Sequence, residues 1–299
     1  MLEAVPNVSE GRDAAAIEEI RGAFGRFAPV LDVHSDADHH RSVFTLAGET
    51  ATLVESLLAG IARTLALVDL RRHRGVHPRI GAVDVVPLVP LDPTDMEEAK
   101  GAAFLLAERI GAALEIPVFL YAEAGGGRRP AFFRRGGLDE LRRRIDEGEL
   151  TPDAGPSRIH PRAGGVLIGA RGPLVAYNID LATGDVQLVR DVATAIRESS
   201  GGMPGVQAIG LHLPRSSRLQ VSINVLDLER SPLHEVVARV TEEATARGVE
   251  VAGGELVGLV PESVLAAASA AGARIPGVDE SRVLERALEQ LRQLRPEGP

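Results

Sequence analysis

The stretch Arg71-Arg-His73-Arg74-Gly75-Val-His77-Pro78-Arg79-Ile-Gly81-Ala-Val-Asp84-Val-Val-Pro87-Leu-Val-Pro90 leads from a crowded polar loop into a valine-rich strand. Its end, Pro87-Leu-Val-Pro90, has a counterpart in Gly258-Leu-Val-Pro261. Working back from each, the same order of elements appears twice. In the first half, Leu2–Asn7 reads as a strand, Asp13–Arg26 as a helix, and Pro29–His34 and Ser42–Ala47 as strands. Ala51–Val68 is then an amphipathic helix with Thr50 as its N-cap, before the strand Ala82–Pro90. In the second half, Leu174–Asp180 is a strand, Asp185–Glu198 a helix, Val206–Leu213 and Leu219–Leu226 strands, Pro232–Arg247 a helix and Val249–Pro261 a strand. The opening strands end alike too, in Val5-Pro-Asn7 and Ala176-Tyr-Asn178. The order β-α-β-β-α-β is that of a ferredoxin-like split unit. The expectation is therefore an α/β (α+β) chain of two tandem ferredoxin-like βαββαβ subdomains, residues 1–172 and 173–299. Helices should cover one face of each sheet, with a ligand cleft between the sheets.

Two segments stand outside this pattern in the first half. A helix from about Thr94 to Leu114 and an apolar strand Pro117–Glu123 follow Pro90. The glycine- and arginine-rich residues Gly125–Gly137 read as a mobile surface loop. Thr151–Gly165, rich in Pro, Gly, Arg and His, reads either as a linker or as a loop lining a cleft.

Composition limits what the chain does. A net charge of -9 argues against general nucleic-acid binding, which needs a basic face. With no cysteine, disulfides, thiolate nucleophiles and Cys-based zinc sites are excluded. The start lacks a signal-peptide pattern, and no uninterrupted apolar stretch approaches the roughly 20 residues of a membrane span. A cytoplasmic protein is expected, with no nucleic-acid or membrane partner.

The chemistry concentrates in the loop. It holds two imidazoles, four guanidiniums and a carboxylate between helix and strand. Gly75, Gly81 and Pro78 shape it, and Pro78 biases His77 toward extended backbone. Histidine has an unperturbed pKa of about 6.5, suited to proton transfer near neutrality. The arginine fork suits carboxylates. The plainer reading of His77 is a ring satisfied by loop backbone. Asp84 and Glu123 interrupt apolar strands, and a buried carboxylate needs a partner, for which the loop arginines are candidates. Asn7 and Ser9 either cap a helix or form an amide and anion site. Three His and three Asp crowd Asp32–His40. That cluster is either a polar hairpin turn or a metal site of unfamiliar spacing. P-loop, Rossmann, HExxH and GxSxG signatures are missing from the sequence.

Several of these motifs together resemble the formiminotransferase domain of glutamate formimidoyltransferase, over nearly the whole chain. They are Val5-Pro-Asn-Val-Ser9-Glu-Gly11, His73-Arg-Gly-Val-His77-Pro-Arg79-Ile-Gly81-Ala-Val-Asp84, Pro117-Val-Phe-Leu-Tyr121-Ala-Glu123-Ala, Pro152-Asp-Ala-Gly155-Pro-Ser157, Val206-Gln-Ala-Ile-Gly210, Gln220-Val-Ser-Ile-Asn224-Val-Leu-Asp227 and Leu256-Val-Gly-Leu-Val-Pro261. The resemblance implies transfer of a formimino group from N-formimino-L-glutamate to N5 of tetrahydrofolate, in histidine degradation. It places the catalytic histidine on His77. It places folate, the co-substrate, on Gly155, Pro156, Ser157, Arg158, Ile159, His160, Pro161, Arg162, Ala163 and Gly164. Asn7, Ser9, His34, Arg41, Arg79 and Asp84 are the candidate substrate-binding residues, with Arg79, Arg41 or Arg74 on the donor's carboxylates and Arg79 favoured. No metal is expected, and a homodimer is. The sequence departs from the animal pattern at His34, where that pattern has an acidic residue. It departs also in Asp36–His40 and at Arg158, His160 and Arg162. Two other readings are a non-catalytic folate-binding protein and a metal-dependent hydrolase built on Asp32–His40.

Overall fold

In the computed structural model, which describes residues 1–294, the first strand is split. Leu2–Ala4 (β1) and Asn7–Val8 (β2) are separated at Pro6, which has no N–H to give a ladder, while its carbonyl still accepts from Phe44 N. Both pieces pair antiparallel with Arg41–Gly48 (β4) and with Val83–Pro90 (β5). Between them run the helix Ala14–Phe24 (α1), the strand Val30–Asp36 (β3) and the helix Thr50–Leu67 (α2). Asp13 caps α1 by accepting from Ala15 N and Ala16 N, and α1 buries Ala16, Ile20 and Phe24. α2 is long and apolar enough to cross a bilayer by length and composition. It nevertheless serves as a core helix, with Leu53, Val54, Leu57 and Ile61 buried.

The chain divides into two compact units, Met1–Gly172 and one that begins at Pro173. In unit 1 the strand order β3-β4-(β1, β2)-β5 is the ferredoxin-like order. The sheet does not stop there. After the helix Met96–Leu114 (α3) come the strand Val118–Ala122 (β6), the helices Pro130–Arg134 (α4) and Gly137–Asp146 (α5), and the strand Val166–Ala170 (β7). β7 lies parallel to β5, and β6 parallel to β7. All five residues of β7 are buried, because its sheet region is covered on both sides. One core lies against α1, α2 and α3. A second, smaller one joins Ile80, Phe119, Tyr121, Phe133, Leu141, Ile145, Leu150, Ile159 and Leu167.

Unit 2 has the strands Val175–Leu181 (β8), Val206–Leu213 (β9), Arg218–Val225 (β10) and Val251–Val257 (β11), and the helices Val186–Ile196 (α6) and Leu233–Thr245 (α7). The order β11-β8-β10-β9, all antiparallel, repeats the ferredoxin-like arrangement. Glu262–Ala270 (α8) and Leu284–Leu294 (α9) follow, beyond the reach of the sequence pattern.

Four local expectations need correction. Thr50 is the first helical residue and not the cap. Glu49 holds the N-cap position, and the Thr50 hydroxyl donates to Glu98. Gly125–Gly137 is built structure, since it contains α4 and the fully buried Phe133. Glu123 belongs to a 3-10 turn and is exposed, so it needs no buried partner. Thr151–Gly165 is no loose linker. Val118 N donates to Ala154 O, Leu120 N to the Asp153 carboxylate and Ala82 N to Ala163 O. Gly155 (φ +80°) and Gly164 (φ +74°) lie in left-handed backbone, where a Cβ would sit about 2 Å from the carbonyl oxygens of Ile116 and Ile80.

Candidate functional site

The polar loop owes its shape to one arginine. Arg79 donates from Nε to His77 O (3.1 Å), from Nη1 to His40 O (3.2 Å), and from Nη2 to His39 O (2.8 Å) and His77 O (2.9 Å). Its Nη1 also lies 2.6 Å from His73 Nε2. A guanidinium has five N–H groups, and four of them go to loop and turn carbonyls, since His73 Nε2 itself donates to His40 O at 2.9 Å. Arg79, the favoured carboxylate clamp, therefore staples the loop to the β3–β4 turn.

His73 and His40 stack with centroids 4.1 Å apart. Burial pushes the His73 pKa down to about 4, with Arg79 and His40 adding to the fall against the His40 carbonyl. His40 itself has φ +49°. Its Nε2 is 3.2 Å from Glu10 Oε1, yet burial lowers its pKa as well. Both rings are accordingly neutral and structural.

His77 differs. Its Nδ1 is 2.8 Å from Pro78 O and 3.4 Å from Arg41 Nη1. The closer carbonyl requires a donor, so Nδ1 carries the proton and Nε2 is the unprotonated nitrogen. Nε2 has no hydrogen-bond partner among the described residues, and the half-buried ring is open at that edge. Burial holds the His77 pKa well below its ordinary value. The Arg41 and Arg134 guanidiniums reinforce this, Asp84 opposes it, and His39 adds a small push in the same direction.

Beneath the ring lies a charged triad. Asp84 Oδ2 accepts from Arg41 Nη1 (2.8 Å) and Arg134 Nη2 (2.5 Å), while Oδ1 accepts from Ile80 N (2.8 Å). The Asp84 side chain is fully buried, with Arg41 8% and Arg134 17% exposed. Burial works to raise the Asp84 pKa, but Arg134, Arg41 and the Ile80 N–H outweigh it and hold the group ionised. One carboxylate between two guanidiniums leaves a net charge of about +1 next to His77. Asn7 steers the array, accepting from Arg41 Nε at 2.9 Å while donating to Val5 O.

The other candidates fall into place around this centre. His34, Val43 and Asn7 stand in register across β3, β4 and β2, so His34 and Asn7 share a sheet face. Ser9 is fully buried and donates to Gly81 O at 2.7 Å, which makes it a loop anchor. In the Asp32–His40 segment Asp36 accepts from His39 N, as a turn-capping carboxylate does. Among the described residues no three His, Asp or Glu side chains converge to hold one metal ion. In residues 155–164, Ile159 and Ala163 are buried anchors, and Ser157, Arg158, Pro161 and Arg162 are exposed. His160 Nδ1 accepts from Arg162 N and Ala163 N, closing the turn. A cavity of about 490 Å³ opens beside this segment, lined by Arg162, Arg71, Arg72, Asp69, His73 and His40 among others. It lies against His73 and does not include His77.

Arg134 is the residue that sequence reasoning missed. Its loop leaves β6 through Ala122, whose φ of +52° and ψ of −135° are rare for a residue with a Cβ. Such a conformation costs about 1–3 kcal/mol and persists only where its surroundings enforce it. Here Ala122 N donates to Arg128 O and Gly127 N to Ala122 O.

A family model described as the N-terminal subdomain of the formiminotransferase domain matches residues 1–171, and a second, described as the formiminotransferase domain, matches residues 176–284. The chain belongs to the formiminotransferase domain family. Its curated relatives include a glutamate formimidoyltransferase from Thermoplasma acidophilum, 38% identical over 97% of this chain and 98% of the relative. Another, from Streptococcus pyogenes, is 36% identical over 89% of this chain and 90% of the relative. A formimidoyltransferase-cyclodeaminase from Gallus gallus is 37% identical over 89% of this chain but only 51% of its own length. Within the formiminotransferase family frame, the structure joins Asn7, Arg41, His77 and Asp84 into one constellation. It gives Ser9 and Arg79 scaffold tasks.

Proposed function

We propose that the protein transfers the formimino group of N-formimino-L-glutamate to N5 of tetrahydrofolate, releasing L-glutamate, with His77 as the proton carrier. The reaction class comes from the relatives' names, and the observation that carries the role of His77 is its open Nε2 beside a buried positive triad. In this reading the N5 lone pair attacks the amidine carbon, and a C–N bond forms. His77 Nε2 takes the N5 proton and delivers it to the glutamate nitrogen as the old C–N bond breaks. The imidazole ends as it began. Acid–base help of this kind typically contributes about 10²–10⁴-fold. Orientation of two bound substrates supplies much of the rest.

The lowered proton affinity of His77 keeps it a free base at neutral pH, and its conjugate acid gives the proton up readily. We assign the folate to residues 155–164, whose exposed Ser157, Arg158 and Arg162 offer hydrogen bonds and charge to an anionic co-substrate. A homodimer in the cytoplasm completes the reading. Incubation with tetrahydrofolate and N-formimino-L-glutamate tests it. Stoichiometric glutamate and 5-formiminotetrahydrofolate are expected, and the absence of both would refute the reaction.

A further inference from the structure

Asp84 satisfies only part of the two guanidiniums that flank it. Arg41 uses Nε on Asn7 and Nη1 on Asp84, and among the described residues its Nη2 has no hydrogen-bond partner. Arg134 uses Nη2 on Asp84. Its Nε is buried with no hydrogen-bond partner among the described residues, and its Nη1 has none among them either. Two cations and one anion are thus packed together with N–H groups left over, at the ring of the proposed proton carrier. A second carboxylate would neutralise the array and engage the spare Nη1 of Arg134 and Nη2 of Arg41.

We propose that Arg134 and Arg41, bridged by Asp84, form the binding site for the α-carboxylate of the formimino donor. The inference rests on the reading given under Proposed function and names its carboxylate anchor. The choice of carboxylate follows from distance. Arg41 Nη1 lies 3.4 Å from His77 Nδ1, so an anion on this array is separated by about one imidazole ring from the atoms that His77 Nε2 serves. The α-carboxylate is two bonds from the nitrogen that must be protonated. The side-chain carboxylate is four bonds from that nitrogen, twice as far along the chain. Arg79 is removed from competition by its contacts to the loop.

A consequence follows for the base. The groups facing His77 are Arg41 on β4, Arg134 on α4, Asp84 on β5 and His39 in the β3–β4 turn. Adding an anion to the two guanidiniums cancels part of the charge that opposes protonation of His77. Donor binding therefore makes His77 a stronger base at the moment it is needed. The acid limb of kcat, which reports the bound enzyme, should lie at higher pH than that of kcat/KM, which reports the free enzyme.

The test compares wild type with Arg134→Gln and Arg134→Lys, using N-formimino-L-glutamate and N-formimino-4-aminobutyrate. The second donor lacks only the α-carboxylate. Wild type should prefer the first by roughly 10- to 100-fold in kcat/KM, the range expected for hydrogen bonds to a charged group. In Arg134→Gln that preference should collapse toward unity, with the KM for tetrahydrofolate unchanged and the acid limb of kcat/KM displaced upward. Arg134→Lys should restore the acid limb but not the full preference, because it returns the charge without the fork. Retention of the wild-type preference in Arg134→Gln would overturn the proposal, as would a matching rise in the KM for tetrahydrofolate. Calorimetry with L-glutamate and 4-aminobutyrate separates this from the reaction itself. If wild type transfers nothing but binds glutamate over 4-aminobutyrate in an Arg134-dependent way, the site stands and the reaction falls. If it binds neither, both fall.

Discussion

Unit 1 and unit 2 carry the same four-strand order and differ at one edge. In unit 2, β11 is the outer strand of its sheet. In unit 1 the equivalent strand, β5, is an inner one, because β7 and then β6 are added alongside it in parallel. The addition covers Asp84, brings Arg134 to it, and sets residues 155–164 against the start of β5. The polar cluster in unit 2, Arg218 and Gln220 on Asp180, spans two strands and is open to solvent on one side, with Gln220 buried but Arg218 41% exposed. The repeated frame positions strands, while the added strands create a water-poor place where charge acts strongly on a neighbouring ring.

That contrast can be broken by mutation. The largest stability effect should come from Asp84→Asn, which leaves two buried guanidiniums without their anion. We expect a loss of about 3–5 kcal/mol, measured by urea unfolding. Phe133→Ala should cost a similar or slightly smaller amount, about 3–5 kcal/mol, by emptying the small core that holds α4. A loss under 1 kcal/mol for either would mean that the added strands are not the rigid part of unit 1.

Acid should sharpen the same contrast. His40, His73 and His77 bind a proton less well folded than unfolded. Their contribution is therefore complete above the ordinary histidine pKa of about 6.5 and is lost as pH falls from there through about 4. All three lie in unit 1. The chain has two tyrosines and no tryptophan, and Tyr121 and Tyr177 fall in different units. Tyrosine signals from Tyr177→Phe and Tyr121→Phe variants thus report units 1 and 2 separately. Unit 1 should loosen at the higher pH. The smallest effect is reserved for Asp180→Asn, below about 1 kcal/mol, because its ion pair is partly solvated.

The duplicated frame was legible because alternating and 3.6-period apolar patterns survive in both halves. The strand β7 was not, since Val166-Leu-Ile-Gly-Ala170 is a short continuous apolar run behind a Pro- and Gly-rich segment, with no period to read. At the site, His77, Arg41, Asn7 and Asp84 were found through motif and charge. Arg134 was not, because its partner lies 50 residues away in sequence, and its own glycine- and arginine-rich surroundings imitate a surface loop. The role of Arg79 was misjudged for a related reason. A guanidinium in a polar loop serves carbonyls as readily as carboxylates, and only the backbone path of the β3–β4 turn decides between them.

The central claim is that a neutral His77 with an open Nε2 carries the proton of formimino transfer. The most direct test is kcat of His77→Ala against wild type, following glutamate release with tetrahydrofolate and N-formimino-L-glutamate, alongside calorimetric tetrahydrofolate binding. The account predicts a fall of about 10²–10⁴-fold in kcat with tetrahydrofolate affinity unchanged. Equal kcat for the two proteins would contradict it.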